Sequence, residues 1–446
     1  MREKYSLTPA KVIMGGFFIQ ILAGTALLLL PRSAAGRSAA PLEAFFTATS
    51  ATCVTGLAVV DTATFWSPFG HAVILTLIQA GGLGFATLGI LISSAVGRRV
   101  GLKERFIMQE SVSVQQTGGI VRFARFIARG ALVIELAGTL LLALRFCPSM
   151  GLGKGLWFSL FHSVSAFCNA GFDLFGTESL PFASLTGFYG DWTVNAVIAA
   201  LIVLGGLGFF VWDDLCAHKM KLRACELQTK VVLSATAVLI AAPALFLYAA
   251  EFSRPEWSGL TAAQKGLASF FQSVTTRTAG FNTVDLTQMS APSLLVMGIL
   301  MLIGGSPGST AGGVKTTTAV LLLLCIRTTF RRRHAVECFD RRVDFDVIQS
   351  AVSILFTALA LTTAGAFVLV FADGVPLGAA LFETASAVGT VGLSLSVTPQ
   401  LGALSRLTLI ALMFCGRAGF LTLLYTLANG QISPPSQLPQ GKITLG

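Results

Sequence analysis

The sequence predicts an all-α polytopic membrane protein made of four like units. Each unit is a spanning helix, a short re-entrant helix, a Ser/Thr-rich loop and a second spanning helix. Three observations predict it. First, 54% of the 446 residues are hydrophobic and only 12% are charged, against about 25% charged in soluble domains; mean hydropathy is +0.77. Second, stretches near 20 residues without charge recur at 12–30, 192–212, 231–250 and 347–371, each long enough to cross a bilayer. Third, a phenylalanine followed ten residues later by a glycine occurs four times: Phe46 and Gly56, Phe161 and Gly171, Phe270 and Gly280, Phe382 and Gly392. The glycines lie 115, 109 and 112 residues apart, too far for a solenoid repeat and suited to a membrane unit used four times around one axis.

Unit one covers 1–97. Arg2, Lys4 and Lys11 precede a retained first span at 12–30, which Pro31 ends. A short helix at 41–51 opens on Pro41 with Glu43 at its positive end. The loop 52–57 follows, then a span at 69–96. Unit two, 98–218, has a basic loop, a span at 126–146, a short helix at 155–166, the loop 167–172 and a span at 192–212. Its first span carries Arg129, which reaches the interface, and Glu135, which must face protein or water. Unit three, 219–334, has 231–250, 262–275, the loop 276–281 and 291–326. Unit four, 335–430, has 347–371, 376–387, the loop 388–393 and 404–428, and 431–446 is a tail. A second recurrence supports this register: GGLGF at 81–85 and 205–209, GGSPGST at 304–310 and GRAGF at 416–420. In units one and two it is read as small-residue helix packing.

Of the 31 basic residues, 21 fall on one side if each unit crosses twice. The positive-inside rule makes that side, with the N-terminus, cytoplasmic. Seven fall in the opposite loops, and Arg277, Lys315 and Arg417 sit at membrane depth. This distribution argues against nucleic acid as the reason for the net charge of +10. Eight scattered cysteines form no CxxC pair and have no His at zinc spacing, so they are read as small apolar residues. His71, His162, His218 and His334 are isolated and read as interfacial or structural. No HExxH, GxSxG or P-loop appears, which argues against an enzyme. A solute-coupled transporter is disfavoured because the units are parallel rather than inverted.

The loops CVTGL, CNAGF, RTAGF and GTVGL carry no carboxylate at the glycine or in the four positions before it. Four uncharged loops at the ends of half-spanning helices suit a monovalent-cation filter. The helix ends point negative charge at the axis, and backbone carbonyls replace the ion's hydration shell. Candidate filter residues are Thr52, Cys53, Val54, Thr55 and Gly56; Asn169, Ala170 and Gly171; Thr276, Thr278, Ala279 and Gly280; Thr390, Val391 and Gly392. Their carbonyls would hold the transported ion, with potassium placed ahead of sodium. Threonines 52, 55, 276, 278 and 390 can add hydroxyl oxygens. Below the filter, Gly304, Gly305, Ser306, Pro307, Gly308, Ser309, Thr310, Gly312 and Gly313 must break the span and are expected to form a gating loop. Arg417 is expected to hold that loop's carbonyls. Arg277 is expected to point behind the filter toward Glu383, and Lys315 is given no role.

The CVTGL, FHSVSAFCNAGF, FFQSVTTRTAGFN and FETASAVGTVGL segments, with GGSPGSTAGGVKT, resemble the Trk/Ktr/HKT superfamily of potassium-transport pore subunits over residues 12–430. Eight spans without extra N-terminal helices resemble its bacterial KtrB branch. The resemblance implies four helix–pore-helix–helix units around one pseudo-fourfold pore and an intramembrane gating loop. It also implies a homodimer in the bacterial inner membrane and a cytosolic nucleotide-binding ring of the KtrA/TrkA kind. Glycine at 56 implies potassium, since serine there accompanies sodium transport in the plant branch. No cofactor is expected in this chain. Sodium as an activator stays open.

Overall fold

The computed structural model describes residues 9–95, 101, 119–333, 335–339 and 341–427. The tail at 431–446, His334 and much of the basic 97–118 segment lie outside the described residues. Among the described residues, four longer helices in each quarter make up most of the structure, with a one-turn helix at Thr62–Phe65 besides. The first quarter has α1 (Pro9–Leu28), α2 (Pro41–Thr52), α3 (Pro68–Leu83) and α4 (Phe85–Ala95). The second has α5 (Ile120–Met150), α6 (Leu152–Phe167), α7 (Trp192–Leu207) and α8 (Phe209–Ala217). The third has α9 (Leu227–Phe246), α10 (Ala262–Thr275), α11 (Ala291–Leu302) and α12 (Thr316–Phe330). The fourth has α13 (Phe345–Asp373), α14 (Leu377–Gly389), α15 (Ala403–Ala418) and α16 (Phe420–Leu427). One small departure from an all-helical chain is the antiparallel pairing of Glu337–Cys338 with Arg341–Arg342.

The helices at the head of each quarter, α1, α5, α9 with its π-turn, and α13, are long and apolar enough to cross a membrane. They leave Leu132, Leu140 and Leu144, and Phe356, Phe367 and Phe371, exposed on their outer faces. Water would penalise such a surface and hydrocarbon does not. The short helices are capped as the sequence requires. Glu43 accepts from the Ala40 amide at 3.0 Å and pairs with Arg37. Thr261 and Gln264 form a reciprocal capping box on α10.

The segment expected to form the second span is broken in every quarter, not only in the third. Expected continuous helices at 69–96, 192–212 and 404–428 stop at Gly84, Gly208 and Gly419, with φ of +84°, +97° and +91°. These angles belong to the left-handed half of backbone space, where glycine alone sits without strain. At Gly208 the helix axis turns by 88°.

The glycines before these breaks, in GG pairs in units one and two and at Gly416 in unit four, do pack closely, and their partner is specific. A Cβ on Gly81 would strike the Thr52 carbonyl, one on Gly205 the Phe167 carbonyl, and one on Gly416 the Val388 carbonyl. Each is the backbone at the end of a short helix. The missing side chain therefore lets the broken helix seat directly against the loop that follows. Gly205→Val is expected to lower stability by at least ~1–3 kcal/mol through overpacking against an immovable carbonyl. Gly15→Ala in α1, with nothing within 4 Å, should be neutral or stabilising by ~0.5–1 kcal/mol. Thermal unfolding of the two purified variants checks the contrast.

Candidate functional site

The four short helices end in loops of one design. Two residues before each glycine, Val54, Asn169, Thr278 and Thr390 have φ of +56°, +59°, +67° and +51°. The glycines themselves, Gly56, Gly171, Gly280 and Gly392, have φ of +89°, +69°, +82° and +95°. Two left-handed residues flanking one ordinary residue give the strand a pleat that a helix or sheet cannot supply. The loops also nest around a closed ring. A Cβ on Gly56 would meet the Ala170 carbonyl, one on Gly171 the Ala279 carbonyl, one on Gly280 the Val391 carbonyl and one on Gly392 the Thr55 carbonyl. Each glycine thus lies against the residue before the next glycine, and the fourth returns to the first.

Hydroxyls on the short helices hold the loops, a role the sequence reading missed. Ser50 Oγ accepts from the Gly56 amide at 3.1 Å and Ser386 Oγ from the Gly392 amide at 3.0 Å. Ser165 donates to Phe172 O at 2.8 Å, and Thr275 to Phe281 O at 2.5 Å. The available signal was a Ser or Thr four residues after the buried phenylalanine. In unit three that phenylalanine is Phe271, which is buried, and not Phe270, which is 40% exposed. The ten-residue spacing expected there is nine, because the helix end is one residue tighter.

The candidate hydroxyls divide. Thr52, Thr55 and Thr390 have buried Oγ1 atoms with no protein partner among the described residues. Thr276 instead donates to Ser273 O at 2.8 Å, and Thr278 Oγ1 lies 3.2 Å from the Asn169 carboxamide, joining two loops. The Cys168 thiol is directed away from the ring, to Gln79 Oε1 at 3.6 Å, and the Cys53 side chain packs in the apolar cluster with Leu412 and Met413.

The candidate gating loop lies between α11 and α12 and crosses from unit two to unit four. The Ser306 amide donates to Gly206 O at 3.0 Å, the Thr310 amide to Gly205 O at 3.2 Å and Thr310 Oγ1 to Phe167 O at 3.1 Å. The Phe209 amide donates to Gly308 O at 2.8 Å. At its other end a Cβ on Gly312 would strike the Thr390 hydroxyl, and Gly313 approaches Gly389 O. Arg417 completes the clamp. One guanidinium nitrogen donates to Thr310 O, and the other to Gly81 O and, at 3.2 Å, to Gly82 O. The expected contact with the loop is present, joined by one to unit one that was not anticipated. The GG carbonyls of unit two are capped by loop amides, and those of unit one by Arg417. Lys315 Nζ donates to Ala311 O at 2.8 Å.

Arg277 does point behind the ring, but Glu383 is not its partner. Its guanidinium reaches Thr236 Oγ1 on α9 at 3.4 Å, and Nε has no partner among the described residues. Glu383 is consumed within its own unit. It accepts from Ser394 Oγ, from the Leu395 amide at 2.9 Å and from Thr398 Oγ1 at 2.7 Å. Three local donors that close the loop 394–398 hold the carboxylate more firmly than one long cation would. Glu135 faces protein, 4% exposed, and accepts from Gln79 Nε2 at 3.1 Å. His71 and His162 are structural, bonded to Thr62 O and Phe158 O.

Two cavities flank the ring and loop. One of about 680 Å³ is lined by the four glycines and by Asp61, Asp173 and Asp285, with no basic residue in its wall. The other, about 990 Å³, lies at the opposite ends of the helices and is lined by Pro307, Lys315, Asp213 and Glu226 among others. Burial pushes the Asp173 carboxyl up to about 7; the Phe175 and Ser184 amides oppose this and the neighbouring Asp61 carboxylate adds to it.

Comparison with known proteins follows the same geometry. Residues 11–434 match the family described as TrkH, cation transport protein. The potassium/sodium uptake protein NtpJ of Enterococcus hirae is 38% identical, over 96% of this chain and 94% of its own. The Ktr system potassium uptake protein B of Bacillus subtilis is also 38% identical, over 98% and 97%. The crystal structure of the potassium transporter TrkH from Vibrio parahaemolyticus superimposes with a TM-score of 0.76 at 17% identity, covering 96% of this chain and 86% of that one.

The glycine-lined cavity yields a pH prediction. Above about pH 7 Asp173 is ionised and adds a negative charge to this mouth; below it the group is neutral. Cation flux at low ionic strength should therefore fall between about pH 8 and about pH 6, and Asp173→Asn should flatten the profile at the lower level. A wild-type profile with no inflection in this range contradicts the assignment.

Proposed function

We propose that this chain, which belongs to the TrkH cation transport protein family, is the potassium-selective translocating subunit of a bacterial potassium uptake system. It is a multi-pass membrane transporter and not an enzyme. The observation that carries the reading is the closed ring in which each of Gly56, Gly171, Gly280 and Gly392 lies against the carbonyl before the next. Four helix–pore-helix–helix units then surround one pseudo-fourfold path, with domain divisions at 97, 218, 334 and 430. An ion leaving water at the carboxylate-lined mouth exchanges its hydration shell for loop carbonyls, helped by the unpartnered Thr52, Thr55 and Thr390 hydroxyls. An uncharged ring favours a weakly hydrated monovalent ion over a divalent one. Potassium is the ion named for the Bacillus subtilis relative, and the Enterococcus hirae relative is named for potassium and sodium.

Below the ring, residues 304–313 act as the gate and Arg417 as its latch. Arg417 contributes a charge barrier as well as hydrogen bonds, since a cation beside the path repels the permeant ion. The N-terminus is cytoplasmic, in the inner membrane. The chain works as a homodimer whose basic cytoplasmic loops dock a nucleotide-binding ring of the KtrA/TrkA kind, with sodium as a further activator to be tested.

Gly56→Ser tests the filter. Its Cβ enters the space of Ala170 O at a φ costing a non-glycine residue about 1–3 kcal/mol. Ring distortion that shifts the balance between the two ions by ~1.4 kcal/mol changes their ratio tenfold. In proteoliposomes the sodium-to-potassium permeability ratio should rise by about that factor. An unchanged ratio in a folded variant contradicts the filter, and running each assay with and without external sodium tests activation.

A further inference from the structure

Outside the ion path, the turn between α8 and α9 gathers three metal-binding side chains far apart in type and separated in sequence. One carboxylate oxygen of Asp214, one ring nitrogen of His218 and Cys225 Sγ all lie within 4.8 Å of one another. Asp214 and Cys225 are buried, at 6% and 4% exposure, while the His218 side chain is 39% exposed. The grouping is made by an unusual reversal. α8 ends at Ala217, and Lys219 and Met220 follow in succession with φ of +49° and +61°, a conformation costly for side chains of that size. The chain then folds back so that the Glu226 amide donates to Asp214 Oδ2 at 3.0 Å, leaving Oδ1 turned to His218 Nδ1 at 2.9 Å. The Cys225 thiol completes the group and donates to Lys221 O at 3.5 Å.

We propose that Asp214, His218 and Cys225 form a binding site for a zinc-class divalent cation that joins the second and third units at their cytoplasmic edge. The donor set selects the ion. One thiolate, one imidazole and one carboxylate are the ligands of a borderline-soft transition ion, whereas potassium and magnesium take oxygen donors only. A carboxylate and a thiolate together neutralise a dication, so the bound state adds no net charge at the buried edge. Three protein ligands leave a fourth tetrahedral position, and the exposed His218 edge opens it to water. Bond lengths of about 2.0–2.3 Å require only small closure of side chains already within 4.8 Å. The ion must displace a proton from the Cys225 thiol, since the thiolate is the ligand. Binding should therefore tighten as pH rises. The placement has a structural consequence. The site fixes the C-terminal end of α8, whose first residue, Phe209, donates to Gly308 of the gating loop.

The test is cobalt substitution in the purified full-length chain, read by absorbance rather than by transport. Wild type titrated with Co²⁺ should show a thiolate-to-cobalt charge-transfer band in the near ultraviolet together with visible bands of tetrahedral intensity, saturating at one ion per chain and reversed by Zn²⁺. Cys225→Ser should remove the charge-transfer band, and His218→Gln should weaken binding by roughly tenfold or more. Cys216→Ser, altering an exposed cysteine two residues from His218, should leave the spectrum unchanged. Absence of the band in wild type, its persistence in Cys225→Ser, or its loss in Cys216→Ser would each overturn the proposal. The wild-type spectrum and the Cys216→Ser control decide the matter even if Cys225→Ser does not fold.

Discussion

Backbone carbonyls released at membrane depth need donors, and this requirement organises the rest of the molecule. A helix broken inside a bilayer exposes its last carbonyls where water is absent or confined, and each one left unpaired costs several kcal/mol. Here the second helix of every unit is broken, so the problem arises four times over. Unit two passes its Gly205 and Gly206 carbonyls to the amides of Thr310 and Ser306. Unit one passes its Gly81 and Gly82 carbonyls to Arg417, which unit four supplies. Unit three is the donor of the loop. Units one and two are thus satisfied from units four and three, while the break in unit three is closed in part by its own bonds, Val314 N to Leu302 O and Thr316 N to Gly305 O.

The same bonds explain why a charge belongs at such a depth. A guanidinium away from water and without a carboxylate is expensive, yet Arg417 meets three carbonyls from two other units. Charge-assisted bonds of this kind contribute about 1.5–3 kcal/mol each, and their planar fork geometry is one lysine cannot reproduce. Because one of the three acceptors is on the 304–313 loop and two are on unit one, moving the loop removes a partner from a half-buried charge. On the proposed reading, opening of that loop is opposed by the cost of unsatisfying Arg417 and not only by steric closure. Arg277 is the contrasting case: among the described residues its guanidinium reaches the Thr236 hydroxyl behind the ring.

Much of this was legible in the residues. The glycine recurrence located all four loops, and the short helix expected at 262–275 is Ala262–Thr275 in the structure. Five glycines and a proline in 304–313 marked the break in unit three because that density of glycine with a proline does not sustain a continuous helix, whereas the lone Pro148 and Pro243 sit inside helices. The breaks at Gly84, Gly208 and Gly419 were not legible: one left-handed glycine among apolar residues has the composition of ordinary helix packing. The unit-three register slipped because Phe270 and Phe271 are adjacent and only burial tells them apart. Glu383 was misassigned for a similar reason, since charge alone could not reveal that three donors ten or more residues downstream would claim it. The Asp214, His218 and Cys225 grouping depended on two successive left-handed residues, a conformation that neither Lys219 nor Met220 advertises.

The central claim is that Arg417 and the 304–313 loop form one bistable element, and a double-mutant cycle on ion flux tests it most directly. Arg417→Ala and deletion of 306–312 should each raise rubidium flux in proteoliposomes, with Arg417→Lys intermediate. Combined, Arg417→Ala and the deletion should add clearly less, on the logarithm of flux, than the two effects summed. Full additivity, or flux abolished in folded single variants, would contradict the account.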